Sequence, residues 1–242
     1  MSQFFGGDSQ YLVEQKKKHK RLLLLILAAS LTISVLITAF SLIHQKLLYI
    51  TYPLAGLSLL GYFWFRKHSK NEAYTLFSFA KGARGEKNIA QLLRRLSDEY
   101  LVFQDIILDA NQGNIDFVVV GPKGIYAIEV KSHKGQITYE QEQLMQDGKP
   151  FERNLIRQTM NEAMNLHDFL LEKIGKEFFV YPVLVFSNSS ASMRFGFKPI
   201  QHVSIVQAVW LEKLIAELES KSEQDLNQEE LRQALQMLLQ SN

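Results

Sequence analysis

Two carboxylates and one ammonium lie in a stretch that otherwise has the composition of a buried β-hairpin. Asp116 precedes the turn 121–124, and Glu129 and Lys131 follow it, each among Ile, Val, Phe, Tyr and Ala. The turn reads Gly-Pro-Lys-Gly, and proline is favoured at the second position of a four-residue turn. The pattern therefore indicates a hairpin that carries ionisable groups where packing alone would place apolar ones.

The register of this hairpin brings the three groups together. If the two turn glycines face each other, Val118 pairs with Ala127 and Asp116 pairs with Glu129. Directly opposed residues share a face, with Cβ atoms ~5 Å apart. Lys131 lies two residues beyond Glu129 and therefore on the same face.

Two carboxylates that face each other repel, and a bound cation reverses that repulsion. Mg²⁺ takes oxygen ligands and is commonly held by one or two carboxylates. Lys131 could then hold the attacking water or stabilise charge on a phosphoryl oxygen. The sequence thus predicts a Mg²⁺ or Mn²⁺ site at Asp116 and Glu129. The alternative is a surface ion pair between Lys131 and one of the carboxylates.

A third carboxylate is predicted to approach the same region from a helix. Residues 83–96 carry apolar side chains at helical spacing. At about 100° per residue, Glu86 points within about 20° of Leu93, a member of the apolar stripe. Glu86 is therefore expected to face the sheet. The alternative is a helix N-terminal acid that is favoured by the helix dipole.

Two long uncharged runs precede this helix. Residues 22–43 would span about 33 Å as a helix, close to one hydrocarbon core, and residues 47–65 form a second run. Basic clusters at 16–21 and 66–70 flank the pair, and only Lys46 lies between the runs. We expect two membrane-spanning helices with both termini and the soluble domain in the cytoplasm. A buried helical hairpin or a cleaved signal peptide would fit these lengths less well.

The charge balance differs between the two parts of the chain. The whole chain has a net charge of +2, but residues 82–242 carry 17 Lys plus Arg and 22 Asp plus Glu, a net of −5. The basic excess lies beside the predicted spans, where it can meet anionic lipid. A nucleic-acid partner must then be bound by a local patch. The absence of Cys excludes disulfides and Cys-type zinc sites.

The order of elements along the soluble part predicts an α/β fold, a mixed sheet flanked by helices. We divide the chain into an N-terminal segment (1–21), two transmembrane helices (22–65), a juxtamembrane linker (66–81), a nuclease-like domain (82–218) and a C-terminal helix (219–242).

Four short motifs in order carry a family resemblance: GARGE (82–86), GNID (113–116), EVK (129–131) followed by a glycine, and NLIRQ (154–158). Together they resemble the nuclease-related domain, NERD, a branch of the PD-(D/E)xK nuclease superfamily. The resemblance covers roughly residues 82–171. It implies a restriction-endonuclease-like sheet and hydrolysis of nucleic-acid phosphodiester bonds by metal-activated water.

The resemblance also implies a role for each matching residue. Asp116 and Glu129 match the metal-binding acids, and Lys131 matches the catalytic lysine. Glu86 matches the helical glutamate beside the metal, and Gln158 matches the later helical glutamine.

Two positions depart from the pattern. Ile115 replaces the proline of the superfamily name, which is usual for this branch. Leu155 replaces the proline expected in the Asn-Pro-x-x-Gln stretch, which puts the local geometry of Gln158 in question.

The function predicted is a membrane-anchored, cytoplasm-facing, metal-dependent nuclease with membrane lipid and DNA or RNA as partners. The alternative is a non-catalytic module of the same fold, tethered to the membrane for a nucleic-acid or protein partner.

Overall fold

The computed structural model describes residues 2–5, 82–109 and 113–240, and isolated helical positions between residues 32 and 63. The chain divides into two compact units. One unit combines Met1–Asp8 with Lys81–Asn242, and the other is Ser9–Ala80. The first unit contains all the strands described below.

This unit is a mixed α/β domain, as the sequence predicts. Its strands are β1 (Gln3–Phe5), β2 (Leu101–Asp109), β3 (Gly113–Val120), β4 (Ile125–Lys131), β5 (Gly135–Glu140), β6 (Gln143–Gln146), β7 (Lys149–Pro150), β8 (Val180–Phe186), β9 (Ala191–Ser192) and β10 (Ser204–Gln207). Its helices are α1 (82–93), α2 (Leu155–Ile174), α3 (Leu211–Lys221) and α4 (Gln228–Gln240), and a 3₁₀ turn covers Ala208–Trp210.

A six-stranded sheet forms the centre of the domain, in the order β1-β2-β3-β4-β8-β10. The pairs β2–β3 and β3–β4 are antiparallel, whereas β1–β2, β4–β8 and β8–β10 are parallel. Strands β5, β6, β7 and β9 form a smaller sheet that follows β4 in the chain.

Helices cover both faces of the central sheet. One face packs against α2 and α4, whose buried side chains include Leu166 and Leu235. The other face packs against α1 and α3, through residues such as Leu93 and Leu214. Along β4, Ile125 and Ala127 enter the first core and Tyr126 and Ile128 enter the second, which is the period-2 pattern of a strand buried on both sides.

The hairpin has the predicted register. Val118 pairs with Ala127 in the β3–β4 ladder. The N–H of Gly121 donates to the carbonyl oxygen of Gly124 at 2.8 Å, so the two turn glycines face each other. Because this register is fixed, Asp116 reaches the level of the C-terminal end of β4.

The hairpin turn is anchored by the C-terminal part of α3. The hydroxyl of Tyr126 donates to Glu219 Oε2 at 2.6 Å, and the backbone N–H of Lys123 donates to Glu219 Oε1. The hydroxyl of Ser222 donates to the carbonyl oxygen of Lys123. The stretch after residue 218 therefore belongs to the same folded unit as the hairpin, and α4 completes one face of the core.

Pro182 lies in β8, an inner strand of the sheet, although a proline usually indicates an edge or a bulge. Pro182 pairs with Ala127 of β4, whereas the pairing of β8 with β10 begins only at Val183. At position 182 the strand therefore has a paired neighbour on one side only, so proline is tolerated there.

No helix among the residues that the structure describes is long and apolar enough to cross a membrane. The two predicted spans, 22–65, fall almost entirely outside those residues. The described positions within them are helical and exposed, including Val35, Leu57, Leu60 and Phe63.

Candidate active site

The end of β4 carries two of the predicted site residues on one face. Glu129 pairs with Leu184 of β8, and Lys131 pairs with Phe186 at the last position of the ladder. The ammonium of Lys131 forms an ion pair with Glu129 Oε1. Glu129 is buried, with 4% of its surface exposed, and the side chain of Lys131 is 21% exposed. The lysine therefore lies between a buried carboxylate and the solvent.

Asp116 is tied to β4 through its side chain. The last backbone pair of the hairpin joins Phe117 to Ile128, and Asp116 is the next residue of β3. Its Oδ2 accepts a hydrogen bond from the Val130 N–H at 2.7 Å. Burial raises the pKa of Asp116 well above its usual value, and the nearby Glu129 raises it further. Asp116 and Glu129 are thus brought together as the register predicts.

A break in the strand alternation accompanies this site. On β2, Phe103 and Ile106 enter the same core although three residues separate them, so the inward-facing pattern changes phase between them. Asp105 lies at the break with φ of 58°, a conformation that aspartate tolerates better than most residues. Its neighbours in the ladder place Asp105 opposite Asp116.

Asp105 was not predicted as a site residue. Its Oδ2 is buried and has no hydrogen-bond partner within the part of the chain that the structure describes. Burial raises the pKa of Asp105. A buried polar atom without a partner is uncommon and requires an explanation, such as a water or an ion.

Glu86 reaches the same region from α1, as predicted. Burial raises its pKa, with further contributions from Asp105 and then Glu129. The preceding residue, Gly85, permits this approach, since a Cβ there would lie 3.1 Å from Ser132 Cβ and would collide with the hydroxyl of Ser187. The second glycine of the GARGE motif, Gly85, therefore lets the start of α1 lie against the strand ends.

Gln158 lies one turn into α2 and contacts the site directly. Its Nε2 donates to Glu129 Oε1 at 2.8 Å and to Glu162 Oε1 at 2.9 Å. Asn154 caps the helix by accepting the Arg157 N–H at 3.0 Å, and α2 begins at Leu155. Proline is favoured at this first helical position but is not required there. The departure at Leu155 therefore leaves Gln158 in reach of Glu129.

Glu162 is a further carboxyl group that the sequence analysis missed. It is buried, and burial together with Glu129 raises its pKa to about 8. Its spacing of four residues from Gln158 places both side chains on one helix face, which is the signal that could have identified it.

One protein-family model matches the part of the chain that contains this site. The family model of the nuclease-related domain, NERD, covers residues 81–187. Residues 81–187 form a NERD domain. No curated protein and no solved structure matches the chain. The NERD match contains every predicted site residue, whereas β10, α3 and α4 lie beyond its C-terminal limit.

The carboxylates at the end of β4 affect whether this site can bind a metal ion. Lys131 interacts with the carboxylates of Glu86, Asp116, Glu129 and Glu162, and Asp105 interacts with Glu86. Among the described residues, no group of three or more His, Cys, Asp or Glu side chains is placed so that it could hold a metal ion. Mg²⁺ nevertheless commonly uses only one or two carboxylates and keeps its remaining waters. The oxygen-only donors and the unpartnered Asp105 oxygen fit such a cation.

Proposed function

We propose that the NERD domain is a Mg²⁺- or Mn²⁺-dependent nuclease with a restriction-endonuclease-like fold. The observation that supports this most is the convergence of Asp116, Glu129, Lys131 and Gln158 at the end of β4. These residues come from two strands and one helix, and no stability requirement places so many ionisable groups at one strand end. Repulsion among the carboxylates is the kind of feature that a functional site retains.

Each side chain has a role that its contacts support. Asp116 and Glu129 would hold the cation, which supplies charge stabilisation and a more acidic bound water. Gln158 fixes the orientation of Glu129 through its 2.8 Å hydrogen bond. In the ion pair with Glu129, Lys131 is the more exposed partner. It would donate a hydrogen bond to a phosphoryl oxygen or to the attacking water. Glu86 would accept a proton or hydrogen bond from water beside the metal-binding acids.

A non-catalytic binding module of the same fold is the second candidate. The net charge of −5 over residues 82–242 favours it, because a nuclease must approach a polyanion. The two candidates differ in turnover. The test is incubation of the purified full chain with single- and double-stranded DNA and RNA in Mn²⁺ and in EDTA. We expect cleavage only with Mn²⁺, and intact substrates under all conditions would favour the binding module.

We also propose that residues 22–65 cross the membrane twice, with lipid as a partner. Residues 1–8 and 81–242 belong to one folded unit, and residues 9–80 connect its two parts. Any membrane crossing within 9–80 must therefore occur an even number of times, because both ends return to the same domain. The exposed apolar side chains at Leu57, Leu60 and Phe63 support lipid contact.

Reporter fusions test this topology. A reporter inserted at residue 45 should be external, and one inserted at residue 75 should be cytoplasmic, because basic clusters flank the pair of runs. A cytoplasmic signal at residue 45 would contradict the two-span arrangement. An external signal at residue 75 would place the NERD domain outside the cytoplasm, away from a cytoplasmic substrate.

A further inference from the structure

An aromatic pocket lies beyond the C-terminal limit of the NERD match. It has a volume of about 330 Å³, within the usual range for small-ligand sites. The rings of Phe197 and Trp210 meet edge to face, with centroids 6.3 Å apart. The ammonium of Lys213 lies 5.7 Å from the Phe197 ring and 5.6 Å from the Trp210 ring. Trp210 is 48% exposed, so part of its ring is open to a ligand.

The sheet places this pocket beside the candidate active site. Lys131 of β4 pairs with Phe186 of β8, and Phe186 pairs with Gln207 of β10. Gln207 lines the pocket. Neighbouring strands lie about 4.8 Å apart, so the backbones of Lys131 and Gln207 are about 10 Å apart across the sheet. One extended strand of nucleic acid could contact both.

The charge around the pocket is opposite to that of the rest of the domain. Residues 191–213 contain Arg194, Lys198 and Lys213 and only one acid, Glu212. Residues 82–242 as a whole carry a net charge of −5. A local cationic surface with accessible aromatic rings is the combination that single-strand binders use for the backbone and the bases.

The geometry points to a nucleobase-binding pocket at Phe197 and Trp210 that holds a single-stranded nucleic acid next to the cleavage site. This rests on the proposed nuclease function and specifies its substrate. An unpaired base stacks on the exposed part of Trp210, and Lys213 contacts a backbone phosphate of the same nucleotide. Paired bases have their faces covered by neighbouring base pairs, so a duplex cannot use the pocket in this way.

Tryptophan fluorescence provides the test. The chain has two tryptophans, Trp64 and Trp210. The full chain with Trp64→Phe keeps Trp210 as its only tryptophan. It is titrated with a six-nucleotide oligothymidylate, with an abasic oligonucleotide of equal length and with a duplex long enough to stay paired at the assay temperature. The buffer contains Ca²⁺, and a gel verifies that the strands remain intact. We expect quenching by the oligothymidylate and little by the abasic strand or the duplex.

Variants in the otherwise wild-type chain give an independent readout. Trp210→Leu should raise the Kd for a fluorescein-labelled oligothymidylate about tenfold or more in an anisotropy titration. Val209→Ala is the matched control, since Val209 is also exposed and does not line the pocket.

Four results would overturn the inference: equal quenching by the abasic strand, equal affinity for the duplex, an unchanged Kd in Trp210→Leu, or absence of oligonucleotide binding. Mn²⁺-dependent cleavage by the wild-type chain is scored separately, so failure of the pocket and failure of the nuclease function give different results.

Discussion

Replacement of Lys131 by methionine is expected to lower the single-turnover cleavage rate by roughly 10²-fold or more, the scale of removing one preorganised charge-stabilising group. Metal binding and nucleic-acid binding should persist. Lys131 forms an ion pair with Glu129, and its side chain is partly exposed at the end of β4. It can therefore contact both Glu129, a proposed metal ligand, and an incoming phosphate.

A purely neutralising role for Lys131 gives different results. In that case the ammonium competes with the cation for Glu129, so Lys131→Met should tighten metal binding and leave the cleavage rate unchanged. The decisive measurement is single-turnover cleavage at saturating Mn²⁺, with Mn²⁺ affinity determined on the same samples.

Lys173→Met is the matched control for Lys131→Met. Lys173 is exposed, pairs with Glu172, and lies 15 residues after Gln158, which is roughly 22 Å along α2. Its replacement should leave the rate unchanged. Equal rates for wild type and Lys131→Met would remove Lys131 from the mechanism.

Divalent metal is expected to raise the melting temperature of the full chain. At a concentration 100 times the Kd, Mg²⁺ or Mn²⁺ should stabilise the folded state by about 2.7 kcal/mol, which is roughly 5–10 °C for a domain of this size. Asp116→Asn and Glu129→Gln should each abolish the shift, because each removes one of the two proposed ligands.

The metal-free variants should differ from each other. Asp116→Asn is expected to stabilise the metal-free protein, because burial and the nearby Glu129 raise the pKa of Asp116 and so disfavour its charged form. An asparagine oxygen can still accept the Val130 N–H. Glu129→Gln should give little or no gain, since Glu129 is paired with Lys131 and accepts from Gln158.

Asp168→Asn and Glu172→Gln are the matched controls for the metal experiment, since both residues are exposed on α2. These variants should keep the full metal-induced shift. A wild-type chain whose melting temperature does not respond to millimolar Mg²⁺ or Mn²⁺ would show that the carboxylates are not a metal site.

The sequence predicts the hairpin well because a turn and a period-2 pattern fix the register, and a slip of one residue would expose the apolar face. The placement of Asp116 beside Glu129 follows from that register. The position of Gln158 depends on the resemblance to a family, since helix periodicity alone does not state which strand a helix crosses.

Other features depend on contacts that a local pattern does not contain. Asp105 lies within an apolar run that indicates an unbroken strand, and its positive φ is not evident from its neighbours. Glu162 is one of several polar residues in a long helix, and its raised pKa depends on its burial and on Glu129 from another element. Strand β1 is only three residues long, too short to show a period.

Strand β1 has a consequence for the order of events during synthesis. Gln3 pairs with Leu101, so β1 leaves the ribosome long before its partner strand exists. At the usual rate of about 5–20 residues per second, the delay is roughly 5–20 s. During that time the residues of β1 are available to other partners, and the edge of β2 can be covered only after residues 9–80 have been made. A bulky tag placed directly before β1 would therefore interfere with the pairing of β1 with β2.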